Sequence, residues 1–458
     1  MKATLIYPCN FEELKQGSNK LYEPTNLISL YNILSNHGID TNIIDCHLPK
    51  FKQFKQITEK INKDSPNILG FSVFGRYSSI NYVKTIISGI DDNIKKNAIK
   101  IIGGPGATYN TERIIKELQP NIIIKGEGEI PLKKLIEGDF NINKIKKDNI
   151  NLIFETIGGV NIISSNEITD IKNIDYKRPY SLQDYNGLAM PQIQRGCIGG
   201  CTFCLGSSSK NIRYRSTENI IKEIKYLINE KKAKIILPFG PDFTANPKIA
   251  SEIIKEINKS GIANKKYILV TRIDTLYTSI EHNIKERQKF IKNNEIQFQL
   301  GIESFSNEKL LRIGKKNSKF TENNKENLIK LIEQFSAFYN LFFVLFDPGS
   351  TTQEITRDVE DLIFLLEKYS SKVMLTGKLF NFMEIEPGTV ISKSYDENWE
   401  NFASEELKKI FSIAKNISQD LKYKSKGYNG ESIYKERSLE QIEILKTFLA
   451  LIKKIPIL

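Results

Sequence analysis

A chain of 458 residues, 40% hydrophobic and 26% charged, has room for roughly three domains of ~150 residues and enough apolar side chains for a core, which excludes a disordered or fibrous protein. Its 66 basic and 54 acidic residues leave a formal charge of +12, but the lysines are scattered, with no arginine-rich arm, RNA-binding motif or aromatic-studded basic strip, so no nucleic-acid partner is expected. Five cysteines in this length and no signal peptide predict a reduced, cytoplasmic protein rather than a disulfide framework, and no apolar run reaches the ~18 residues that suggest a membrane span.

Short β-branched runs at 3–7, 42–45, 68–73, 98–102 and 121–124 come first, with amphipathic helical stretches at 25–36, 78–90 and 111–118 between most of them. This alternation predicts an α/β domain over residues 1–138, a doubly wound, flavodoxin-like parallel sheet. Ligands of such sheets bind beyond the carboxyl ends of the strands. The loops there are Pro8-Cys9-Asn10, Ser72 to Ser79, Gly103-Gly104-Pro105-Gly106-Ala107-Thr108 and Gly126-Glu127-Gly128-Glu129. Their glycines would let the backbone approach a bulky ligand, or would simply make tight turns in a domain that binds nothing. Cys9 stands in the right loop to approach a ligand and is equally well a small apolar packer.

Residues 139–188 read as a connector. Asn151 to Glu155 and Val160 to Ile163, joined through Gly158-Gly159, predict a β-hairpin, and Tyr176-Lys177-Arg178-Pro179-Tyr180 an extended strap.

Strand candidates then recur at 191–195, 234–238, 267–271, 296–301, 341–346 and 379–385, with helical patterns such as 217–229, 247–258 and 323–338 between them. Six βα units over 189–392 predict a partial (β/α)6 barrel, open on one side. Residues 393–458 are mostly amphipathic helix, with apolar repeats in 405–421 and 438–454, and are expected to form a C-terminal helical lid.

Directly after the first of these strands comes Cys197-Ile-Gly-Gly-Cys201-Thr-Phe-Cys204. Three thiols on one short loop, at the rim where barrel chemistry belongs, suggest a 4Fe-4S cluster with one iron left for another molecule. A zinc site would need a fourth ligand, and the nearest histidine along the chain is the distant His282. Unrelated core cysteines would not need Gly196, Gly199 and Gly200 around them.

The CxxxCxxC order, with an aromatic before the last cysteine, resembles the signature of the radical S-adenosylmethionine (SAM) enzymes. In that family the open iron is chelated by SAM, which is cleaved to a 5′-deoxyadenosyl radical. Cys197, Cys201 and Cys204 are thereby expected as the metal ligands. Asp242 of Pro241-Asp242-Phe243 resembles a family D-x-F-like segment, and Glu303 and Ser304 of Gly301-Ile302-Glu303-Ser304 resemble a family segment that approaches SAM. Arg272, after the third strand, would pair with the SAM carboxylate or with substrate. Each of these rim residues could instead be a turn or cap that shapes the barrel.

In the first domain, Gly70-Phe71-Ser72, the Gly-Gly-Pro-x-Ala-Thr segment and Gly-Glu-Gly-Glu resemble the cobalamin-binding domain that precedes the radical core in one large class of these enzymes. That resemblance implies cobalamin contacts from Ser72, Gly103, Gly104, Thr108, Gly126, Glu127, Gly128 and Glu129. The match departs from the commonest pattern at Gly106, where many relatives carry His. Asp45-Cys46-His47 holds part of the DxHxxG motif of cobalt-ligating proteins, but Lys50 replaces its glycine and the motif belongs after the first strand, so His47 is expected at a strand end and not on cobalt. No cysteine follows Cys204, and the first domain lacks the three cysteines of the methylthio-transfer enzymes. The resemblance implies a cobalamin-dependent methyltransferase acting on an unactivated carbon of a small-molecule or natural-product intermediate. It also implies an external electron donor such as flavodoxin or ferredoxin, and no membrane. A cobalamin-containing radical enzyme that performs ring contraction, cyclisation or C–C bond formation is the alternative.

Overall fold

The structure is a computed structural model that describes all residues except 10–21, 75–76, 149–150, 209–210, 263, 281, 316–323, 376–378, 397, 421–430 and 456–458. Asn10 of the first predicted loop, the middle of the loop after Ser72, and the ends of the helical patterns at 323 and 421 thus lie outside the described residues. The chain divides into two compact units, Met1–Met190 with Tyr226–Ala233, and Pro191–Lys225 with Lys234–Leu458.

The first unit is built on a seven-stranded sheet: β1 (Lys2–Tyr7), β2 (Asp40–Asp45), β3 (Ile68–Ser72), β4 (Ile99–Gly103), β5 (Ile122–Ile124), β6 (Leu152–Ile157) and β7 (Val160–Ser165), in the spatial order β2-β1-β3-β4-β5-β7-β6. β1 to β5 are parallel and in the anticipated doubly wound order. Successive residues point to opposite faces of a strand, so a run apolar throughout feeds two cores. Ile6, Ile102 and Ile123 enter one core, and their neighbours Leu5, Ile101 and Ile122 the other. The hairpin expected at 151–163 is present as β6 and β7, and β7 pairs in parallel with β5, Ile122 opposite Asn161, so the hairpin extends the sheet.

The strap that follows is held by buried charge. Glu23 and Arg178 are both buried; Arg178 donates to Glu23 through Nε at 3.0 Å and Nη2 at 3.3 Å, and Tyr180 OH donates to Glu23 Oε1 at 2.9 Å. A buried ion pair needs such extra donors to offset desolvation.

In the second unit, Ile235–Ile236, Lys266–Arg272, Glu295–Glu303, Phe338–Phe343 and Val373–Leu375 lie side by side as parallel strands in that order. The first predicted strand, 191–195, is mostly replaced by irregular backbone: Gln192 makes a parallel bridge with Phe239, and only Gln194–Arg195 forms a strand, in an antiparallel ribbon with Arg213–Tyr214. The last predicted strand, 379–385, is displaced. The regular strand lies upstream at Val373–Leu375, and the predicted run contributes one bridge, Phe346 to Phe382, at the rim. Its aromatic side chains serve packing instead, with Phe382 against Phe346 at 4.5 Å and Phe411 at 5.3 Å.

The long helix Glu431–Ile452 runs along the edge strand. Gln441 donates to Leu375 O and accepts from Leu375 N, both at 3.0 Å, so one side-chain amide stands where a further strand would pair. Among the described residues no helix is long and apolar enough to cross a membrane.

Candidate active site

The cysteine loop leaves the short ribbon strand through Gly196, whose φ of +79° is available at low cost only to glycine. It is then clamped from two sides. Thr202 N and Oγ1 donate to Ile313 O at 2.9 and 3.2 Å, and Ile391 N donates to Thr202 O at 3.0 Å. A Cβ at Gly314 (φ +71°) would lie 2.4 Å from Gly200 O, so this crossing of two backbones requires glycine. Thr202, Ile313 and Gly314 were not singled out in the sequence, because the contact joins segments 111 residues apart.

Cys197 and Cys201 are partly buried and Cys204 is exposed. Burial pushes the Cys197 and Cys201 thiols up; on Cys201 the charges of Lys315 and then Arg272 oppose it and favour the thiolate, and Cys204 is close enough to act on both. Gly199 N donates to Cys197 Sγ at 3.3 Å, and Arg272 Nη1 to Cys201 Sγ at 3.5 Å. Among the described residues no three His, Cys, Asp or Glu side chains are disposed to hold a single metal ion. Three thiols on one short loop match the ligand number of a cluster with one open iron. Loop, donors and nearby cations therefore suit a 4Fe-4S cluster held by Cys197, Cys201 and Cys204.

The other predicted rim residues fall into two groups. Arg272, Glu303 and Asp242 stand around the cysteine loop. Arg272 is fixed by Asp274, with Nε to Oδ1 at 2.9 Å and Nη2 to Oδ2 at 2.8 Å. Burial works against the charge of Asp274, and the bonds from Arg272 outweigh it and hold the carboxyl below its usual range. Glu303 occupies the left-handed region, φ +66°, at a strand irregularity between Gly301 and Glu303, and its Oε1 accepts from Lys315 Nζ at 2.9 Å. Lys315 also donates to Gly301 O at 2.6 Å. A non-glycine residue strained in this way at a strand end is a mark of functional rims.

Asp242 is fully buried. Its Oδ1 accepts from Thr244 N at 3.1 Å and from the hydroxyls of Thr271, Thr275 and Thr244 at 2.9, 3.0 and 3.2 Å, while Oδ2 has no hydrogen-bond partner among the described residues. Burial raises this carboxyl despite the Thr275 and Thr271 bonds. An unsatisfied buried oxygen costs about 1–3 kcal/mol, so Oδ2 is well suited to receive a donor from a ligand. Tyr214, pushed up to about 12 by burial and by the charges of Asp242 and Cys197, shares this neighbourhood.

Ser304 belongs to the second group. Its hydroxyl donates to Asp358 Oδ2 at 2.7 Å and accepts from Ser306 N at 3.0 Å, and the residue is fully buried. The structure therefore places it in the packing behind the rim.

In the first unit the predicted ligand loops meet at one rim. Ser72 Oγ accepts from Asn26 Nδ2 at 2.6 Å. Gly104 has φ +91° and ψ 179°, and a Cβ there would lie 2.7 Å from Val73 O; at Gly106 it would lie 2.5 Å from Phe74 O. A side chain at Gly106 would require that backbone to move. Thr108 Oγ1 accepts from Gly126 N at 3.0 Å and so ties the loop after β4 to the loop after β5. Gly103 closes β4 opposite Ser72, Gly128 packs on Leu30, Glu127 Oε2 accepts from Thr169 N at 3.3 Å, and buried Glu129 accepts from Ser29 at 2.7 Å. Asn26 and Ser29, on the helix Thr25–Asn36, are the residues the sequence did not disclose.

His47 sits just past β2, its Nδ1 2.9 Å from Asp45 Oδ1 and its ring 5.1 Å from that of Tyr7. Asp45 also accepts from Tyr185 OH at 2.9 Å. His47 is therefore at a strand end, as expected. Cys9 is 3% exposed within the apolar core, with Cys46 and Tyr82 beside it.

Residues 192–362 match the Radical SAM superfamily model. An uncharacterized methyltransferase of Pyrococcus horikoshii, PH0819, is 24% identical over 450 residues, covering 95% of this chain and 90% of the relative. The cobalamin-dependent SAM radical enzyme OxsB, solved with aqua-cobalamin and SAM, superposes at a TM-score of 0.69 with 16% identity, over 99% of this chain and 80% of that one. The radical SAM methyltransferase TsrM of Kitasatospora setae, solved with tryptophan and a SAM analogue, superposes at 0.64 with 12% identity, over 95% and 82%. The fold of this chain is thus that of OxsB and TsrM.

Proposed function

We propose, for a chain that carries a radical SAM domain over residues 192–362, that it is a cobalamin-dependent radical SAM methyltransferase acting on an unactivated carbon of a small-molecule or natural-product intermediate. The observation that carries the proposal is the clamped three-thiol loop at a strand-end rim, with Arg272 and Lys315 acting on Cys201. The likeness along nearly the whole chain to PH0819, named as a methyltransferase, supports the reaction class.

When bound, the cluster with SAM would supply a radical that abstracts a hydrogen atom from substrate, and cobalamin would supply a methyl carrier. The chain holds and orients them. Cys197, Cys201 and Cys204 would each take one iron. Asp242 through its unpartnered Oδ2, with Arg272 and Glu303, would line the SAM site. The glycine rim of the first unit, with Ser72, Thr108, Glu127 and Glu129, would accept cobalamin. An external electron donor such as flavodoxin or ferredoxin, and a cytoplasmic location, complete the reading.

The likeness to OxsB, a cobalamin-dependent SAM radical enzyme, keeps a second reading in view, the same cofactors performing ring contraction, cyclisation or C–C bond formation. Counting SAM products separates the two. Methylation through cobalamin consumes one SAM for the corrin and one for the radical, so S-adenosylhomocysteine and 5′-deoxyadenosine should form about one to one with methylated product. With substrate deuterated at the reacting carbon, label should enter 5′-deoxyadenosine. Label transfer with S-adenosylhomocysteine at background would replace methylation by the second reading.

A further inference from the structure

Arg272 closes the strand Lys266–Arg272 and is 8% exposed. An arginine that clamps a carboxylate ligand presents two nitrogens in a fork. Here two nitrogens are already taken: Nε and Nη2 donate to the two oxygens of Asp274 at 2.9 and 2.8 Å. That pairing fixes the plane of the guanidinium and leaves Nη1 for Cys201 Sγ, 3.5 Å away. The loop opposite is shaped to admit it. A Cβ on Gly199 would lie 2.9 Å from Nη1 and 3.3 Å from Cys197 Sγ, so a side chain there would push the guanidinium from the sulfur.

We infer that Arg272, held by Asp274, is a positioning residue for the cluster thiolate: it donates through Nη1 to Cys201 Sγ and so raises the reduction potential of the cluster. The inference rests on the reading that these cysteines hold a 4Fe-4S cluster. Hydrogen bonds to ligating sulfur are a known lever on cluster potential, because a sulfur that accepts a proton donor gives less electron density to iron, and the extra negative charge of the reduced state is stabilised. Arg272 is buried and Cys201 partly so, which limits screening of the contact by solvent. Asp274 cancels most of the long-range charge of Arg272, so the effect is short-ranged and depends on the Nη1 contact itself. Lys315 is bound to Glu303 and to Gly301 O, while Arg272 donates to the sulfur of Cys201.

The test is an anaerobic redox titration, followed by electron paramagnetic resonance, of the full chain reconstituted with iron and sulfide and without SAM. Wild type is compared with Arg272→Met, which keeps bulk and removes the donor, and Arg272→Lys, which keeps charge but cannot serve Asp274 and Cys201 together. At a potential that half-reduces wild type, the Met variant should show a reduced-to-oxidised ratio about tenfold lower, about 59 mV for a one-electron couple, with iron content unchanged. The Lys variant should fall between. A fully loaded Met variant with an unaltered midpoint overturns the inference, as does a shift seen only when SAM is added, which would make Arg272 a SAM clamp. If the Met variant does not take up iron, the Lys variant decides, and a wild-type midpoint in it overturns the inference. A wild-type chain that takes up no cluster at all overturns the functional reading first.

Discussion

Two rims of parallel strands carry the candidate chemistry, and they are built on opposite principles. The first unit presents backbone: glycines at 103, 104, 106, 126 and 128, two of which could not bear a Cβ, with polar side chains already engaged internally, Ser72 with Asn26 of the helix Thr25–Asn36 and Thr108 with Gly126. The second unit presents side chains: three thiols, a fixed arginine, a strained glutamate on a lysine and a buried aspartate with one oxygen free. A smooth backbone rim suits a large ligand held by shape, whereas a charged rim suits ligands held by named atoms. Substitutions should therefore fail differently on the two rims, by occlusion on the first and by loss of a donor or ligand on the second.

The largest expected effect is on the second rim. Replacing Cys197, Cys201 and Cys204 together with Ala should remove the brown chromophore and take iron from about four per chain to background. Stoichiometric zinc in the wild type, or cluster absorption surviving in the triple variant, would break the assignment of that rim. On the first rim, Gly104→Ala introduces a Cβ 2.7 Å from Val73 O in a backbone region nearly closed to other residues. The strain of roughly 1–3 kcal/mol would be relieved by moving the loop, so cobalamin loading should fall by at least about tenfold while iron content stays at wild type. Equal loss of both cofactors would show that the two rims do not fail independently.

This contrast also decides what could be read in the sequence. Period and composition are local, and they located the helices at 25–36, 111–118 and 217–229 at the bounds the structure has. Glycine loops and the cysteine loop are local too. What was hidden is the set of long-range partners: Ser29 on Glu129, 100 residues apart, and Thr202 on Ile313, 111 apart, joined by no pattern along the chain. The strand expected at 379–385 misled because Leu379, Phe380 and Met383 are apolar for a different reason, being buried in an aromatic core around Phe346, Trp399, Phe411 and Phe448. Tertiary packing there overrode strand propensity.

A smaller effect probes where the second rim ends. The sequence puts Ser304 beside SAM with Glu303, but its hydroxyl faces Asp358, a buried carboxyl that burial raises against the pull of Lys309 and of Ser304 itself. Ser304→Ala removes one of the donors to Asp358 and leaves Phe305 N at 2.9 Å. Stability should fall by about 1–3 kcal/mol in chemical denaturation, with SAM affinity unchanged by calorimetry. Weakened SAM binding at wild-type stability would return Ser304 to the ligand-facing rim.

The last prediction expects no change, and it tests whether the first rim really offers shape without a metal ligand. His47 is the histidine nearest the ends of the strands in the first unit, and its Nδ1 is tied to Asp45, which also receives Tyr185, while its ring lies against Tyr7. Drawing the ring onto cobalt would break the Asp45 contact and leave a buried carboxylate short of a donor, a cost of roughly 1–3 kcal/mol. The loop after β1, where a ligating histidine would belong, carries Pro8 and Cys9 instead. Electron paramagnetic resonance of the cob(II)alamin state should therefore lack axial splitting from a protein nitrogen, and the spectrum should be identical in His47→Ala. Splitting in the wild type that disappears in the variant would place an imidazole on cobalt, and the first rim would then hold its ligand by a named atom just as the second does.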